Sequence, residues 1–285
     1  MYRPPEAAPA SERAVDALAR LIVGRRVLAL TGAGCSTESG IPDYRSPAQQ
    51  GRVRTPIQHL EFVRSPQVRA RYWARSLLGW PRFSRFAPNA AHRALAALEH
   101  SNAVSGVLPQ NVDRLHHKAG NRRVLELHGA LERVRCLGCG RILHRDALQE
   151  VLNELNPGFA EAFAPELRPD GDAELPPEVD RTFRYPDCEA CGGVLKPDVV
   201  FFGDNVPPPV VQEGFALVDE AEALLVVGSS LAVYSGYRFV KRAADRGVPI
   251  AIVNLGETRG DPHATLKIDA LACDVLPRLA VRVGC

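Results

Sequence analysis

The chain has 285 residues, of which 46% are hydrophobic and 24% are charged, and its formal net charge is +2 at pH 7. Such a composition is typical of a globular protein with one large core and room for a smaller satellite domain. The nearly balanced charge gives no indication of a nucleic-acid partner or of an anionic membrane surface.

No targeting or membrane segment is expected. The N-terminal segment MYRPPEAAPASER lacks the apolar region of a secretory signal, and its glutamates argue against a transit peptide. The most apolar run, Ala223–Val227, is far too short to span a bilayer. Seven cysteines, an odd number, do not suit a secreted disulfide framework. We therefore expect a cytoplasmic protein. The sequence leaves the oligomeric state open, and we favour a monomer.

The first half of the chain alternates helices and strands. Apolar residues at helical spacing predict an opening helix over Ser11–Val23. The apolar run Arg26–Leu30 predicts a buried strand that enters a tight turn at Thr31–Gly34. An alanine- and leucine-rich helix is expected over Ala91–His100, and a strand over Ala103–Leu108 that ends before the next residue, a proline.

Between Arg64 and Arg93, basic residues are interleaved with Tyr72, Trp73 and Trp80. A nucleic-acid-binding stripe has this composition, and so does a helical face with solvated arginines and buried aromatic rings. We favour the helical face.

The second half repeats the alternation. A buried strand over Leu224–Val227 is closed by Gly228–Ser230, and an amphipathic helix is expected around Tyr237–Arg246. The strand Pro249–Val253 follows and ends at Asn254. A strand, a polar loop, a helix and a strand within about thirty residues form a parallel βαβ unit. We therefore predict an α/β protein with a Rossmann-like, doubly wound parallel sheet.

Polar loops follow the strands of this sheet at Thr31–Gly34, Gln110–Asn111, Gly228–Ser230 and Asn254. Ligands of such sheets bind at the carboxyl ends of the strands, so we expect the loops to share one site. Glycines directly after a strand allow the backbone to approach a pyrophosphate. Thr37 occupies the third glycine position of the G-x-G-x-x-G pattern, so the loop alone leaves dinucleotide binding and a simple turn equally open.

Two C-x-x-C pairs form the most specific local motif, Cys136 with Cys139 and Cys188 with Cys191. Two such knuckles complete a tetrahedral four-sulfur site suited to Zn²⁺, and a fully occupied sulfur shell is structural. A redox-active C-x-x-C is the less favoured alternative. We predict a zinc-binding small domain over 134–194, inserted into a Rossmann-like domain. The first part of that domain covers 1–133, with a helical insertion around 46–88, and the second part covers 195–285.

The ordered motifs, taken together, resemble those of the sirtuin family of NAD-dependent protein deacylases. They are Gly32–Arg45, Gln110–Asp113, Leu127-His-Gly129, the four cysteines, Gly228–Ser230 and Asn254. The resemblance runs from about Val27 to about Leu276. The segments Ser39–Ser46, Leu195–Asp204 and Leu224–Arg238 look most like the class II sirtuins, whose human member is mitochondrial.

The resemblance implies NAD as co-substrate, one structural Zn²⁺, a small domain that combines the zinc ribbon with helices, and acylated lysine residues of other proteins as substrates. It implies one catalytic residue, His128, as the base that deprotonates a ribose hydroxyl. His116 and His117 are the competing histidines, which we assign either to the helix surface or to a supporting position behind the residues that face the ligand. The residues implied to contact NAD are Gly32, Ala33, Gly34, Ser36, Ile41, Asp43, Tyr44, Arg45, Gln110, Asn111, Asp113, Gly228, Ser229, Ser230, Asn254, Leu255, Gly256 and Cys273. For Cys273 an ordinary buried thiol is an equally open interpretation.

The implied reaction yields free lysine, nicotinamide and O-acyl-ADP-ribose. Val199–Gly203 resembles the family's strand that pairs with an extended substrate peptide.

The chain departs from the family at two places. Pro109 replaces the threonine that commonly precedes Gln-Asn, which removes a hydroxyl and a backbone donor. No Tyr-x-x-Arg pair, of the kind that desuccinylating members use for an acyl carboxylate, occurs near Gln49–Arg54. The acyl group therefore stays open among acetyl, longer and lipoyl-like chains.

Three other activities stay open as alternatives. Mono-ADP-ribosyl transfer is possible on the same fold. An NAD dehydrogenase would need an acidic residue about twenty positions beyond the glycine loop, where the chain has Arg52, Arg54 and Thr55. A non-catalytic zinc-ribbon binding module would not need Asn111, Asp113 and His128 in the order in which they occur.

Overall fold

The computed structural model describes residues 7–43, 57–162 and 182–285. These residues contain the following strands: β1 (Val27–Thr31), β2 (Val104–Pro109), β3 (Gly129–Cys136), β4 (Ile142–His144), β5 (Leu195–Val199), β6 (Ala223–Val227), β7 (Ile250–Val253) and β8 (Leu266–Ile268). The helices are α1 (Glu12–Ile22), α2 (His59–Arg64), α3 (Pro66–Phe83), α4 (Ala90–His100), α5 (Leu115–Ala119), α6 (Arg145–Leu155), α7 (Phe159–Ala162), α8 (Pro208–Glu220), α9 (Tyr234–Asp245) and α10 (Ala272–Arg282).

The chain divides into two compact units. The large unit includes 7–43, 87–128 and 206–285 among the described residues, and the small unit includes 57–86, 129–162 and 182–205. The small unit therefore joins the helical segment to the cysteine-bearing segment, and the chain enters it for the second time directly after His128.

The large unit is built on a parallel sheet with the strand order β2-β1-β6-β7-β8. All residues of β1, β6 and β7 are buried, which accords with a parallel sheet whose faces are covered. This confirms the predicted α/β class. From β1 the chain continues to β2 on one side, and from β6 it continues to β7 on the other. The crevice between β1 and β6 is therefore a topological switch point.

Pro109 lies inside β2 and pairs with Thr31, although the sequence led us to end this strand one residue earlier. Proline is tolerated here because Pro109 is the last residue of β2. Its carbonyl oxygen accepts a hydrogen bond from the backbone N–H of Leu127 at 3.0 Å. The carbonyl therefore anchors the segment that leads to His128.

The small unit contains an antiparallel sheet with the order β4-β3-β5. Its core includes Phe62, Tyr72 and Trp73, whose rings pack edge to face. The guanidinium of the buried Arg145 lies 5.7 Å from the Trp73 ring centroid and 5.6 Å from that of Trp80. The aromatic residues of the basic segment are therefore part of a core.

None of the helices in the described residues combines the length and the apolar character that a membrane span requires.

One helix start connects the fold to the site. Asn89 precedes α4, and its Oδ1 accepts hydrogen bonds from the backbone N–H groups of Ala91 and His92. Its Nδ2 donates to the carbonyl oxygen of Cys35 at 2.8 Å. One buried side chain therefore both caps a helix and holds the turn that follows β1.

We predict that Asn89→Ala lowers the free energy of unfolding by about 2–3 kcal/mol, because it removes a cap and leaves a buried carbonyl without its donor. Ser11→Ala, which removes a more exposed cap from α1, should cost only about 1 kcal/mol. Urea unfolding of both variants measures the difference, and equal losses would contradict the second role of Asn89.

Candidate functional site

The loops after β1 and β6 pack backbone against backbone. Gly34 donates its N–H to the carbonyl oxygen of Gly228 at 2.8 Å. A Cβ at Gly32 would lie 2.7 Å from the Cβ of Ser229, and a Cβ at Gly34 would lie 3.0 Å from the Cα of Gly228. The sequence suggested that these glycines make room for a ligand. The structure shows that they make room for the second loop.

Ser36, Asn111 and Asp113 form a hydrogen-bonded chain beside these loops. The hydroxyl of Ser36 donates to Oδ2 of Asp113 at 2.7 Å and accepts from Nδ2 of Asn111 at 2.8 Å. The same Nδ2 donates to the carbonyl oxygen of Gly32 at 3.1 Å. The residues after β1 and after β2 are therefore held together, as expected for strand ends that meet at one edge of a sheet.

Gln110 connects the ends of three parallel strands. Its Nε2 donates to the carbonyl oxygen of Thr31 at 3.1 Å and to Oγ of Ser229 at 2.8 Å. Gly236, in the first turn of α9, leaves space for the Gln110 side chain, because a Cβ there would lie 2.4 Å from Oε1. The predicted motifs at Thr31–Gly34, Gln110 and Gly228–Ser229 are thus brought into one cluster.

His128 lies at the edge of this cluster. Its Nδ1 lies 2.7 Å from the carbonyl oxygen of Gln110, and its Nε2 lies 2.8 Å from Oγ of Ser235. Burial lowers the pKa of the ring, the backbone bond to Gln110 opposes that shift, and the charge of Arg238 adds to it. The imidazole is therefore neutral at pH 7, the form that can accept a proton.

His116 and His92 contact polar side chains at the end of β1 and in the turn that follows it. Nε2 of His116 lies 2.9 Å from Oγ1 of Thr31, and Nε2 of His92 lies 3.4 Å from Oγ of Ser36. Burial lowers the pKa of each ring to about 3, so both are neutral. Of the two positions expected for His116, the structure shows the one behind the ligand-facing residues and not the helix surface, because the short helix α5 turns this side chain into the core.

Cys35 lies with these two rings, and one ligand atom of each side chain is within 4.8 Å of the others. Burial raises the pKa of the Cys35 thiol well above its usual range, which opposes formation of the thiolate that a metal needs. Since Nε2 of each ring already faces a hydroxyl of the loop, we interpret this group as packing.

The predicted adenosine-binding residues lie after β7 and in α10. Asn254 is buried, and its Nδ2 donates to the carbonyl oxygens of Leu255 at 2.8 Å and Gly256 at 3.2 Å. Leu255 is exposed. Cys273 is partly buried, and burial together with Glu38 raises its thiol pKa to about 12. The thiol is therefore an uncharged group next to the turn after β1.

Two predicted residues of the cofactor loop lie within the described part of the chain. Ile41 is buried, and its N–H donates to the carbonyl oxygen of Ser36 at 3.4 Å. Asp43 is partly exposed. Tyr44 and Arg45 lie outside the described residues.

In the small unit, the predicted peptide-pairing segment continues from β5. Val199 pairs with Gly129, and Phe202 bridges in parallel to Gln58. Phe202 is exposed, whereas Phe201 packs on the aromatic core. This segment therefore offers backbone and one large apolar side chain at the surface.

The four predicted metal ligands converge in the small unit. Sγ of Cys136 lies 3.5 Å from that of Cys191, and Sγ of Cys139 lies 3.8 Å from that of Cys188. All four sulfur atoms lie within 4.8 Å of one another, and all four residues are free thiols. A tetrahedral ion with Zn–S bonds of about 2.3 Å requires sulfur atoms about 3.8 Å apart, so the cluster fits Zn²⁺.

Three residues at the site were not found from the sequence: Asn89, His92 and Ser235. Each acts through a contact with a residue distant in the chain, so no local pattern marks it. His92 could have been flagged as a histidine on an apolar helix face, a weak signal that usually indicates packing.

A model of the Sir2 family matches residues 32–235 of the chain. NAD-dependent protein deacetylase 1 of Mycobacterium avium is 51% identical over 267 residues, which cover 92% of this chain and 93% of that protein. NAD-dependent protein deacylase Sirt4 of Drosophila melanogaster is 52% identical over 257 residues, covering 89% and 82%. The mitochondrial NAD-dependent protein lipoamidase sirtuin-4 of Homo sapiens is 51% identical over 277 residues, covering 96% and 88%.

Solved structures show the same similarity. A Sir2–p53 peptide–NAD+ complex is 30% identical with a TM-score of 0.73, covering 95% of this chain and 98% of that chain. A structure of Sir2Tm bound to a propionylated peptide is 30% identical with a TM-score of 0.72 and the same coverage.

The contact between the two loops yields a stability prediction. Gly228 has a φ of +58°, and a Cβ there would lie 2.3 Å from the backbone nitrogen of Cys35. Gly247 has a similar φ of +67°, with nothing within 4 Å of its Cβ position. Gly247→Ala should cost about 1–2 kcal/mol of backbone strain, and Gly228→Ala several kcal/mol in total. Denaturant unfolding measures both, and equal losses would show that the close approach is unimportant.

Proposed function

Since the chain belongs to the Sir2 family, it is an enzyme that uses NAD to remove acyl groups from lysine side chains, and we propose that the residues around Ser36 and His128 form its active site. One observation carries this proposal. The loops that follow β1, β2 and β6 meet at the switch point of the parallel sheet, with a neutral imidazole at their edge. Ligands of open α/β sheets bind at this place.

The orientation of NAD follows from the polar groups. The turn after β1 and the loop Gly228–Ser230 would hold the phosphates and a ribose, and Asn254 and its neighbours the adenosine half. Gln110, Asn111 and Asp113 would hold the nicotinamide and its ribose. This agrees with their hydrogen bonds to Ser36 and Ser229, which bring the two groups of residues together.

His128 would act as a general base. After the acyl-lysine carbonyl oxygen has attacked C1′ of the ribose and nicotinamide has left, a ribose hydroxyl passes its proton to Nε2 of His128. The ribose oxygen then attacks the carbon of the former acyl group. The lysine nitrogen takes up a proton and leaves from this carbon, and a water molecule adds in its place, which yields free lysine and O-acyl-ADP-ribose. Nδ1 serves to hold the ring, because a carbonyl oxygen is its partner.

The four cysteines would bind one structural Zn²⁺. Support comes from sulfur separations that suit a tetrahedral ion and from Gly193, where a Cβ would lie 2.9 Å from Sγ of Cys136. A complete sulfur shell leaves no open position, so the metal would stabilise the small unit and take no part in the reaction.

An uncharged acyl group is the proposed substrate class. The sequence near Gln49–Arg54 has no Tyr-x-x-Arg pair to neutralise an acyl carboxylate. Related proteins are described as a deacetylase and as a lipoamidase, so acetyl and lipoyl groups are the chains to compare first.

Mono-ADP-ribosyl transfer, the alternative activity on this fold, would begin with the same loss of nicotinamide from C1′ of the ribose. A cytoplasmic location and a monomeric state stay predictions. The Sir2 family match excludes the dehydrogenase and the non-catalytic alternatives.

We predict that His128→Ala lowers the rate of deacylation by about 10²–10⁴-fold and leaves NAD binding within a few-fold, because the ring acts on a proton and not on binding. The assay follows nicotinamide release and peptide deacylation with lysine peptides that carry acetyl, longer, lipoyl or succinyl groups. NAD binding is measured separately by calorimetry.

His100→Ala is the matched control, since His100 is exposed and bonds only the carbonyl oxygen of Gly120 among the contacts described. It should keep full activity. An active His128→Ala enzyme would exclude His128 as the base. Nicotinamide release that needs no acylated peptide would argue against the proposed substrate class.

A second prediction concerns the metal. The purified protein should contain about one equivalent of zinc, and Cys136→Ser should lose it and destabilise the small unit, because metal binding is coupled to folding. Elemental analysis and limited proteolysis measure the two effects. Cys285→Ser, at an exposed cysteine outside the cluster, should retain both zinc and protease resistance. A folded, zinc-free Cys136→Ser protein would contradict the structural role.

A further inference from the structure

His128 has a second hydrogen-bond partner that the reaction described above does not use. Nδ1 must carry the hydrogen in its 2.7 Å bond to Gln110, because a carbonyl oxygen only accepts. The lone pair of the neutral ring therefore lies on Nε2, 2.8 Å from Oγ of Ser235. The serine hydroxyl thus donates to the atom that has to accept the ribose proton.

The start of α9 places Ser235 at this position. The helix begins at Tyr234, so Ser235 and Gly236 belong to its first turn. Gly236 packs against the side chain of Gln110, and the carbonyl oxygen of Gln110 holds His128. The first turn of α9 therefore contacts both residues of the pair: Gly236 packs on Gln110, and the Ser235 hydroxyl is hydrogen bonded to His128.

Resting on the assignment of His128 as the base, we propose that Ser235 is a positioning residue for deacylation. Its hydroxyl donates to Nε2 before the co-substrate binds and accepts from Nε2 after the ring has taken up the ribose proton. No covalent bond to Ser235 forms or breaks in this cycle. Its hydroxyl only reorients, since a serine hydroxyl can donate in one orientation and accept in another.

This reversal of the hydrogen bond between Ser235 and Nε2 follows from the geometry of imidazole. Nε2 has a single lone pair, so Ser235 has to release it when the ribose hydroxyl approaches, by rotating to another staggered rotamer. After proton transfer the ring is a cation near Arg238, the charged group whose field acts on it. A hydrogen bond to a charged N–H is stronger than one to a neutral ring. Ser235 therefore stabilises the protonated ring more than the neutral one.

The sign of the pH effect can be derived from this difference. Loss of the hydroxyl destabilises the protonated ring more, so the pKa of His128 falls. The reaction needs the neutral ring and runs above that pKa, so the acid limb of the pH–rate profile moves to lower pH. The weaker base also accepts the ribose proton less readily, so the plateau rate falls.

The test compares Ser235→Thr with Ser235→Val, two variants of nearly equal shape that differ in the hydroxyl. Deacylation of an acetyl-lysine peptide is measured against pH, together with exchange of labelled nicotinamide into NAD, which precedes the histidine step. Ser235→Thr should keep the wild-type acid limb. Ser235→Val should shift it by about one pH unit to lower pH and reduce the plateau about tenfold, with exchange unchanged.

Ser235→Ala repeats the loss of the hydroxyl with a smaller side chain, in case valine disturbs the helix. Tyr234→Phe, which removes a hydroxyl from the preceding residue, should behave as wild type. If both Val and Ala variants keep the wild-type limb and rate, the proposal is wrong. A proportional fall of exchange and deacylation without a pH shift would show a merely structural role and also overturn the proposal.

His128→Ala is assayed in parallel. If it stays active, the base assignment fails; if it is inactive while the serine variants are normal, only the role of Ser235 fails.

Discussion

The close contact between two backbone loops is the constraint on which the site depends. Gly32, Gly34 and Gly228 lie so near one another that a Cβ at any of them would meet the opposite loop at 3.0 Å or less. Because β1 and β6 are adjacent and parallel, their loops leave the sheet at the same level. Gln110 and Asn111 donate hydrogen bonds to this pair of loops. Asp113 accepts a bond from Ser36, and His128 is bonded to the backbone of Gln110.

His128, the proposed base, is positioned by a different element of the same unit. The backbone between Arg123 and Leu127 runs beside the edge strand β2 and bonds Val107 and Pro109. This path places His128 next to Gln110, and Ser235 at the start of α9 contacts the other nitrogen of its ring. The neutral rings of His92 and His116 contact hydroxyl groups at the end of β1 and in the turn after it, so they hold this turn without adding charge. The site thus combines a rigid binding edge with a ring that is kept unprotonated.

Periodicity and turn residues were sufficient to predict the class of the fold. Buried strands such as Leu224–Val227, followed by polar loops and amphipathic helices, leave little choice besides a parallel sheet. The same local signals found the cysteine knuckles, because two thiolates three residues apart can bind one ion without help from the rest of the chain. The order of the motifs added the family and, through it, His128 and the loops around it.

What the sequence could not give depends on contacts between residues far apart in the chain. The need for glycine at positions 32 and 34 was visible, but the partner that requires it, Gly228, is fixed only by the pairing of β1 with β6. The burial of His116 and the bond from Ser235 to His128 have the same origin. Local patterns determine which elements form and where they end. Only the packed structure decides which side chains meet, since hydrogen bonds are made across space and leave no periodic signal in the sequence.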